Sequence, residues 1–122
     1  MGTERTEKMT ADQVVAAGFA GWSLLVGSLR ARFGTGTFAA GMAFVAEVGS
    51  AAEELDHHPD VTLRYPSVDI VLRSHDVNGI TARDVDLARR INHIAERLGV
   101  AVDPQPPTVV EIALDTPDLS AV

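Results

Sequence analysis

The chain has 122 residues, of which 46% are hydrophobic and 22% charged, a length and balance typical of a single globular domain. It contains no cysteine, which excludes disulfides, thiolate nucleophiles and zinc ribbons. Ten basic and seventeen acidic residues give a formal net charge of -7, which disfavours direct binding to nucleic acid. The start is polar and no apolar run approaches the ~20 residues of a membrane span, so we expect a cytoplasmic protein that does not bind a membrane.

The N-terminal part of the chain predicts a flexible tail, a short helix and a β-hairpin. Residues 1–9 carry little apolar content and form the predicted tail. The sequence Thr10-Ala11-Asp12-Gln13 has the spacing of a helix capping box, and Gly18 is expected to end the helix that follows. Residues 22–26 and 29–33 predict two strands, the second from its alternation of apolar and basic residues.

One long amphipathic helix is predicted over Phe38–Leu55, because apolar residues recur there at intervals of three and four. The main stripe consists of Phe38, Met42, Val45, Val48, Ala52 and Leu55, and one stripe is expected to cover the sheet. A second stripe includes Phe44, Ala51 and Leu55. Because a second stripe of this kind can cover a partner subunit, we expect a homodimer or homotetramer.

A second β-hairpin is predicted after the long helix. Residues 61–65 and 68–72 alternate apolar and polar positions on either side of Pro66-Ser67. If these two residues form the turn, the side chains of the two strands match on both faces of the hairpin. The expected cross-strand pairs are Leu63 with Ile70, Tyr65 with Val68, and Arg64 with Asp69.

The last predicted helix begins at a capping box made by Thr81 and Asp84 and ends at Gly99. The element order α-β-β-α-β-β-α predicts an α+β fold with three helices packed on one face of a four-stranded antiparallel sheet. This domain is expected over residues 10–102. Residues 103–122 predict a linker and one extra strand, and residues 110–118 weakly resemble the opening strand of a glyoxalase-like domain.

Three of the four histidines, His57, His58 and His75, fall within nineteen residues and at the ends of predicted elements. Glu53 lies one helical turn before His57, so its carboxylate is expected at the same end of the helix. Imidazole gives and takes protons near neutral pH, and several imidazoles beside a carboxylate suit a dehydration. Surface histidines or a metal site are the alternatives. Adjacent histidines in an extended segment point to opposite sides, which disfavours a shared metal.

The histidines belong to a longer pattern that resembles the pterin-4a-carbinolamine dehydratase family. That family has an acid four residues before a His-His-Pro sequence, then an aromatic residue, a third histidine after the next strand, and an aspartate opening the last helix. The matching residues here are Glu53, His57-His58-Pro59, Tyr65, Ser74-His75-Asp76, Gly79-Ile80-Thr81 and Asp84, together with Trp22, Leu29, Phe33, Phe38 and Phe44. The resemblance covers about residues 10–98.

The resemblance implies loss of water from a 4a-hydroxytetrahydropterin to give the quinonoid dihydropterin, which recycles the pterin of aromatic amino acid hydroxylases. It implies that His57, His58 and His75 form the acid–base set and that Glu53 orients or polarises them. Pterin is then the substrate, with no cofactor or metal. The positions that it assigns to pterin binding are Pro59, Ser74, Asp76 and Val77.

Two positions depart from the family pattern. Val61 stands where many relatives have tryptophan, which puts a stacking contact in doubt, and Ser74 stands where threonine is common. Neither is a proton-transfer position. The alternative function is a non-catalytic module of the same fold that supports dimerisation, assembly or transcription.

Overall fold

The computed structural model describes residues 7–17 and 21–103. Its elements, in chain order, are α1 (Ala11–Ala17), β1 (Ser23–Leu25), β2 (Ser28–Gly34), α2 (Phe38–Leu55), β3 (Asp60–Arg64), β4 (Ser67–Leu72), α3 (Ala82–Leu98) and β5 (Ala101–Val102). Three helices and an antiparallel sheet confirm the predicted α+β class. The extra strand and the glyoxalase-like segment predicted within residues 104–122 lie outside the described residues, as do residues 1–6 of the predicted tail.

The sheet has the strand order β1-β2-β4-β3, and all of its neighbours are antiparallel. A short fifth strand, β5, pairs with Phe33 and Gly34 of β2. The described sheet therefore has five strands where the sequence predicts four. Two paired residues directly after a helix are too few to give a period-two pattern, which is why β5 was not predicted.

The register of the second hairpin differs from the prediction by two residues. Leu63 lies opposite Val68 rather than Ile70. The reason is the position of the turn, which consists of Tyr65-Pro66 instead of Pro66-Ser67. A shift of two residues preserves the alternation of side chains, so Val68, Ile70 and Leu72 are buried in the core, whereas Tyr65 lies in the turn and is exposed.

The ionic partner of Asp69 differs as well, since Arg64 lies opposite Ser67 in the observed register. Asp69 is opposite Arg32 on the other neighbouring strand. The Arg32 guanidinium donates two hydrogen bonds to its carboxylate, Nε to Oδ1 at 2.7 Å and Nη2 to Oδ2 at 3.1 Å. The pair that the sequence assigns within the β3–β4 hairpin therefore forms between β2 and β4.

Helix α2 buries part of the main predicted stripe together with residues outside that stripe. Its buried residues are Gly41, Phe44, Val48, Ala51 and Ala52. Phe38 and Met42, at the start of the main predicted stripe, are each 53% exposed, whereas Val48 and Ala52 of that stripe are buried. A Cβ atom on Gly41 would lie 2.7 Å from Cδ1 of Leu63, so the close approach of helix and sheet is centred on Gly41. Phe44 and Ala51, which belong to the second predicted stripe, lie in the core as well.

Both predicted capping boxes are confirmed. Thr10 and Gln13 exchange backbone and side-chain hydrogen bonds at the start of α1, and Thr81 and Asp84 do so at the start of α3. Just before α1, the Met9 amide donates to the Ile80 carbonyl at 2.7 Å. None of the helices in the described ranges is both long and apolar enough to cross a membrane.

Candidate active site

The end of α2 determines where the paired histidines lie. Asp56 adopts a left-handed conformation with φ 51° and ψ 45°. Its amide donates to the Glu53 carbonyl, and the next amide, that of His57, donates to the Ala52 carbonyl, the pattern of a Schellman motif. Because the chain changes direction here, helical spacing no longer predicts side-chain neighbours. The Glu53 carboxylate lies 2.7 Å from Nε2 of His58, although helical spacing places Glu53 one turn before His57.

His57 is held by a buried aspartate from α3. Its Nε2 lies 2.6 Å from Oδ1 of Asp84, whose side chain has no solvent exposure. A carboxylate oxygen accepts hydrogen bonds, so Nε2 of His57 is the donor in this contact. A carboxylate that fixes the tautomer and orientation of a histidine in this way prepares the ring for proton transfer.

The other oxygen of Asp84 is also fully engaged. Oδ2 accepts hydrogen bonds from the Ser74 hydroxyl at 2.7 Å and from the Thr81 amide at 2.9 Å. Since the Ser74 hydroxyl has one hydrogen and uses it on Asp84, it accepts from the Thr81 hydroxyl, 2.8 Å away. A buried charge is tolerated when its acceptors are satisfied, and this network fixes the position of His57.

His58 lies in a more open setting. Its Nε2 is 2.7 Å from Oε2 of Glu53, and the two side chains are 58% and 78% exposed. Exposed ion pairs contribute little to stability because water screens them. The pair can therefore rearrange when a ligand binds.

A cleft of about 390 Å³ joins the three predicted catalytic histidines, and its lining residues are Asp56, His57, His58, Arg73, His75, Asp76 and Arg83. This volume lies within the usual range of small-molecule sites. His75 is exposed and follows β4 in the turn closed by the bridge between Ser74 and Gly79. The structure therefore brings together residues that the sequence places eighteen positions apart.

Not every residue assigned to the site by the resemblance lines this cleft. Asp76 does, whereas Glu53, Pro59, Ser74 and Val77 are not among its lining residues. Ser74 is buried, and its hydroxyl is part of the network around Asp84. Its contact with the site therefore runs through Asp84 and His57.

One wall of the cleft is an ion pair. Nη2 of Arg83 donates to Oδ1 of Asp76 at 2.7 Å, and Nε of the same side chain donates to the Thr81 hydroxyl at 3.1 Å. The hydrogen bond from Arg83 holds the pKa of the Asp76 carboxyl below its ordinary value. Asp76 is therefore an ionised acceptor at neutral pH.

The sequence did not predict that Asp56, Arg73 and Arg83 line the site, or that Asp84 contacts His57. The capping box did identify Asp84, but a capping aspartate is ordinarily explained by its helix alone. No sequence signal distinguishes the two arginines from surface residues. No group of three or more histidine or carboxylate side chains that could hold a metal ion occurs within residues 7–17 and 21–103.

These observations define a class of protein: a small α+β domain whose helix ends and sheet edge form a histidine-lined cleft. The chain belongs to the pterin 4 alpha carbinolamine dehydratase family, whose sequence model matches residues 4–94. This confirms the family that the sequence resembles.

Relatives of known sequence and structure agree with this assignment. A protein from Mesorhizobium japonicum, provisionally named a pterin-4-alpha-carbinolamine dehydratase, is 40% identical over 71% of this chain and 93% of its own. A protein from Mycolicibacterium smegmatis with the same provisional name is 42% identical over 68% of this chain and 90% of its own. A transcriptional coactivator/pterin dehydratase from Brucella melitensis superposes with a TM-score of 0.70 and 31% identity, over 73% of this chain and 99% of that one.

A more distant structure shares the fold alone. It is a pterin dehydratase-like protein described as a RuBisCO assembly factor in the alpha-carboxysome. Its TM-score is 0.53 at 21% identity, over 65% of this chain and 93% of that one.

Proposed function

We propose that this protein is a dehydratase that removes water from a 4a-hydroxytetrahydropterin to give the quinonoid dihydropterin, and so recycles the pterin of aromatic amino acid hydroxylases. The observation that carries this proposal is the meeting of His57, His58 and His75 in one cleft, with His57 held by the buried carboxylate of Asp84. Family membership supplies the substrate class.

The reaction needs two proton transfers and no change in net charge. One group protonates the hydroxyl at C4a, the C4a–O bond breaks and water leaves, while another group takes the proton from N5. His57 is suited to act as the base, because a neutral ring that donates its Nε2–H to Asp84 has its lone pair on Nδ1. His58 and His75 are exposed, so they can exchange protons with solvent between turnovers. We assign Glu53, which contacts His58, to polarising that ring.

Pterin binding involves the remaining predicted residues in different ways. Asp76 lines the cleft as an ionised acceptor and can bind the N–H groups of a pterin ring. Ser74 acts as a positioning residue, since its hydroxyl holds the carboxylate that holds His57. Pro59 and Val77 remain assigned to pterin binding by the family pattern.

Single histidine substitutions test the catalytic set. Replacing His57 or His75 by alanine should lower kcat on the order of 10²-fold, because each would supply a general acid or base. Appearance of the quinonoid dihydropterin is measured in a coupled hydroxylase assay. His93→Ala is the matched control, since His93 is exposed on α3 and does not line this cleft. Equal rates for the His57, His75 and His93 variants would contradict the proposal.

The proposed chemistry uses only side chains of the protein, with pterin as substrate and no cofactor or metal. Dialysis against a chelator should therefore leave kcat unchanged. The rate is measured before and after dialysis, and again after adding back single divalent ions. Loss of activity that one specific ion restores would show that a metal takes part.

A second role, as a non-catalytic dimerisation or assembly module, is favoured by one observation: Phe38 and Met42 leave apolar surface exposed on α2. Self-association is compatible with catalysis. A protein that assembles but gives only the spontaneous dehydration rate would have the non-catalytic role.

A further inference from the structure

Arg73 has a buried donor without an acceptor. It follows β4 directly and lines the cleft together with His57, His58 and His75. Its Nε is buried and has no hydrogen-bond partner, and no other side-chain nitrogen or oxygen in residues 7–17 and 21–103 is in this state. Buried polar atoms in proteins are almost always hydrogen-bonded, and an exception calls for an explanation.

The second arginine of the cleft, Arg83, differs from Arg73 because its guanidinium donates hydrogen bonds to other side chains. Arg83 donates from Nε to the Thr81 hydroxyl and from Nη2 to the Asp76 carboxylate. Both acceptors belong to the protein itself. Arg83 is therefore committed to the fold, whereas Arg73 lines the same cleft and its buried Nε–H has no acceptor within the described residues.

The chemistry of a guanidinium limits what that ligand group can be. The group carries five N–H donors in a planar fork and no acceptor, and it stays protonated in proteins. It pairs with oxygen acceptors, and most strongly with anionic ones. A pterin offers one such oxygen on its ring, the C4 carbonyl adjacent to the reacting C4a carbon, and some pterins carry an acidic group at C6.

We propose that Arg73 is a substrate-binding residue whose Nε–H donates to an oxygen acceptor of the bound pterin. This inference rests on the proposed function and adds a recognition residue to it. The shared chemistry is the oxygen acceptor, which is either the ring carbonyl or an acidic C6 substituent. When the ligand enters, the Arg73 side chain turns its Nε–H towards the cleft, and the N–H obtains its missing hydrogen bond.

Binding of two stable fluorescent probes tests the proposal without turnover. Pterin offers only the ring carbonyl, and 6-carboxypterin adds a carboxylate. Arg73→Met should weaken binding by about tenfold or more, the usual effect of losing a hydrogen bond from a charged group. Loss with both probes assigns the ring carbonyl, and loss with 6-carboxypterin alone assigns the acidic substituent. Arg64→Met is the control, because it removes the same charge from an exposed residue outside the cleft.

The melting temperature separates a binding role from a structural one. Because Arg73→Met removes a buried donor without a partner, it should leave Tm unchanged or raise it, whereas loss of a structural arginine would lower Tm. Arg73→Lys keeps the charge but lacks the Nε–H donor, so it should also weaken binding. If the methionine variant does not fold, the lysine variant tests the proposal in its place.

Wild-type affinity in both Arg73 variants would overturn the inference while leaving the dehydratase proposal intact. A wild-type protein that binds neither probe would contradict pterin binding itself, and the role of Arg73 would fall with it.

Discussion

Asp84 stabilises a helix and orients a histidine with the same carboxylate. As the third residue of α3, it accepts a hydrogen bond from the Thr81 amide and completes the capping box. Its other oxygen lies 2.6 Å from His57. A variant at this position can therefore affect stability and activity separately, depending on which hydrogen bonds it retains.

Two substitutions at Asp84 should separate these effects. Asp84→Asn keeps an oxygen for Thr81 and Ser74 but presents an amide N–H to Nε2 of His57, which reverses the tautomer. We expect kcat to fall on the order of 10²-fold with a small change in the free energy of unfolding. Asp84→Ala leaves three buried partners unsatisfied and should lower that free energy by about 3 kcal/mol or more. Steady-state kinetics and urea unfolding measure the two effects. Full activity in Asp84→Asn would contradict the role of Asp84 in orienting His57.

Helix α2 joins the core to the site, and its buried face centres on Phe44. The Phe44 ring packs against Phe33 with centroids 4.9 Å apart, and both residues are fully buried. Phe38, six residues earlier on a neighbouring stripe, is half exposed. The two phenylalanines therefore differ in environment although they share one helix.

Alanine at these two positions should give very different stabilities. Phe44→Ala should lower the free energy of unfolding by about 3–5 kcal/mol, because it opens a cavity in the core. At low protein concentration Phe38→Ala should lower it by less than about 1 kcal/mol. Urea unfolding of both variants measures the difference. Similar losses at both positions would contradict the orientation of α2.

Local signals predicted the elements well. Capping boxes at Thr10 and Thr81 and the glycine at Gly99 mark helix ends, and these signals depend on neighbours a few residues away. The bounds of α2 agree with the prediction because its helical period is continuous. The predicted meeting of three histidines depended on element ends, which the same signals locate.

Features that depend on distant residues were not predicted correctly. The hydrogen bond between His57 and Asp84 spans 27 positions, and the face of α2 depends on the close approach of Gly41 to Leu63. Hydrophobic spacing shows that a helix has apolar stripes, but packing against the sheet decides which stripe is buried. The β3–β4 register likewise depends on the turn that forms, which alternation alone does not specify.

The whole molecule carries exposed apolar surface at one end. Phe38 and Met42 are 53% exposed and Tyr65 is 71% exposed. The Thr35 amide donates to the Pro66 carbonyl at 2.9 Å, which joins the β3–β4 turn to the segment before α2. Tyr65 and Phe38 therefore lie at the same end, and we expect this surface to contact a second subunit.

Light scattering tests this expectation. The wild-type protein should be a dimer or tetramer at micromolar concentration, and the double variant Phe38→Glu/Met42→Glu should have a lower mass, because buried unpaired carboxylates oppose association. Val15→Glu is the control, since Val15 is an exposed apolar residue on α1. A monomeric wild-type protein, or a double variant of unchanged mass, would contradict this interface.

The rate of dehydration by the wild-type protein tests the proposed function most directly. A 4a-hydroxytetrahydropterin is generated by an aromatic amino acid hydroxylase, and the appearance of quinonoid dihydropterin is followed with and without the protein. The cleft formed by His57, His58 and His75 predicts a rate that rises in proportion to protein concentration and exceeds the spontaneous rate. A rate equal to the spontaneous one at every protein concentration would contradict catalysis by this site.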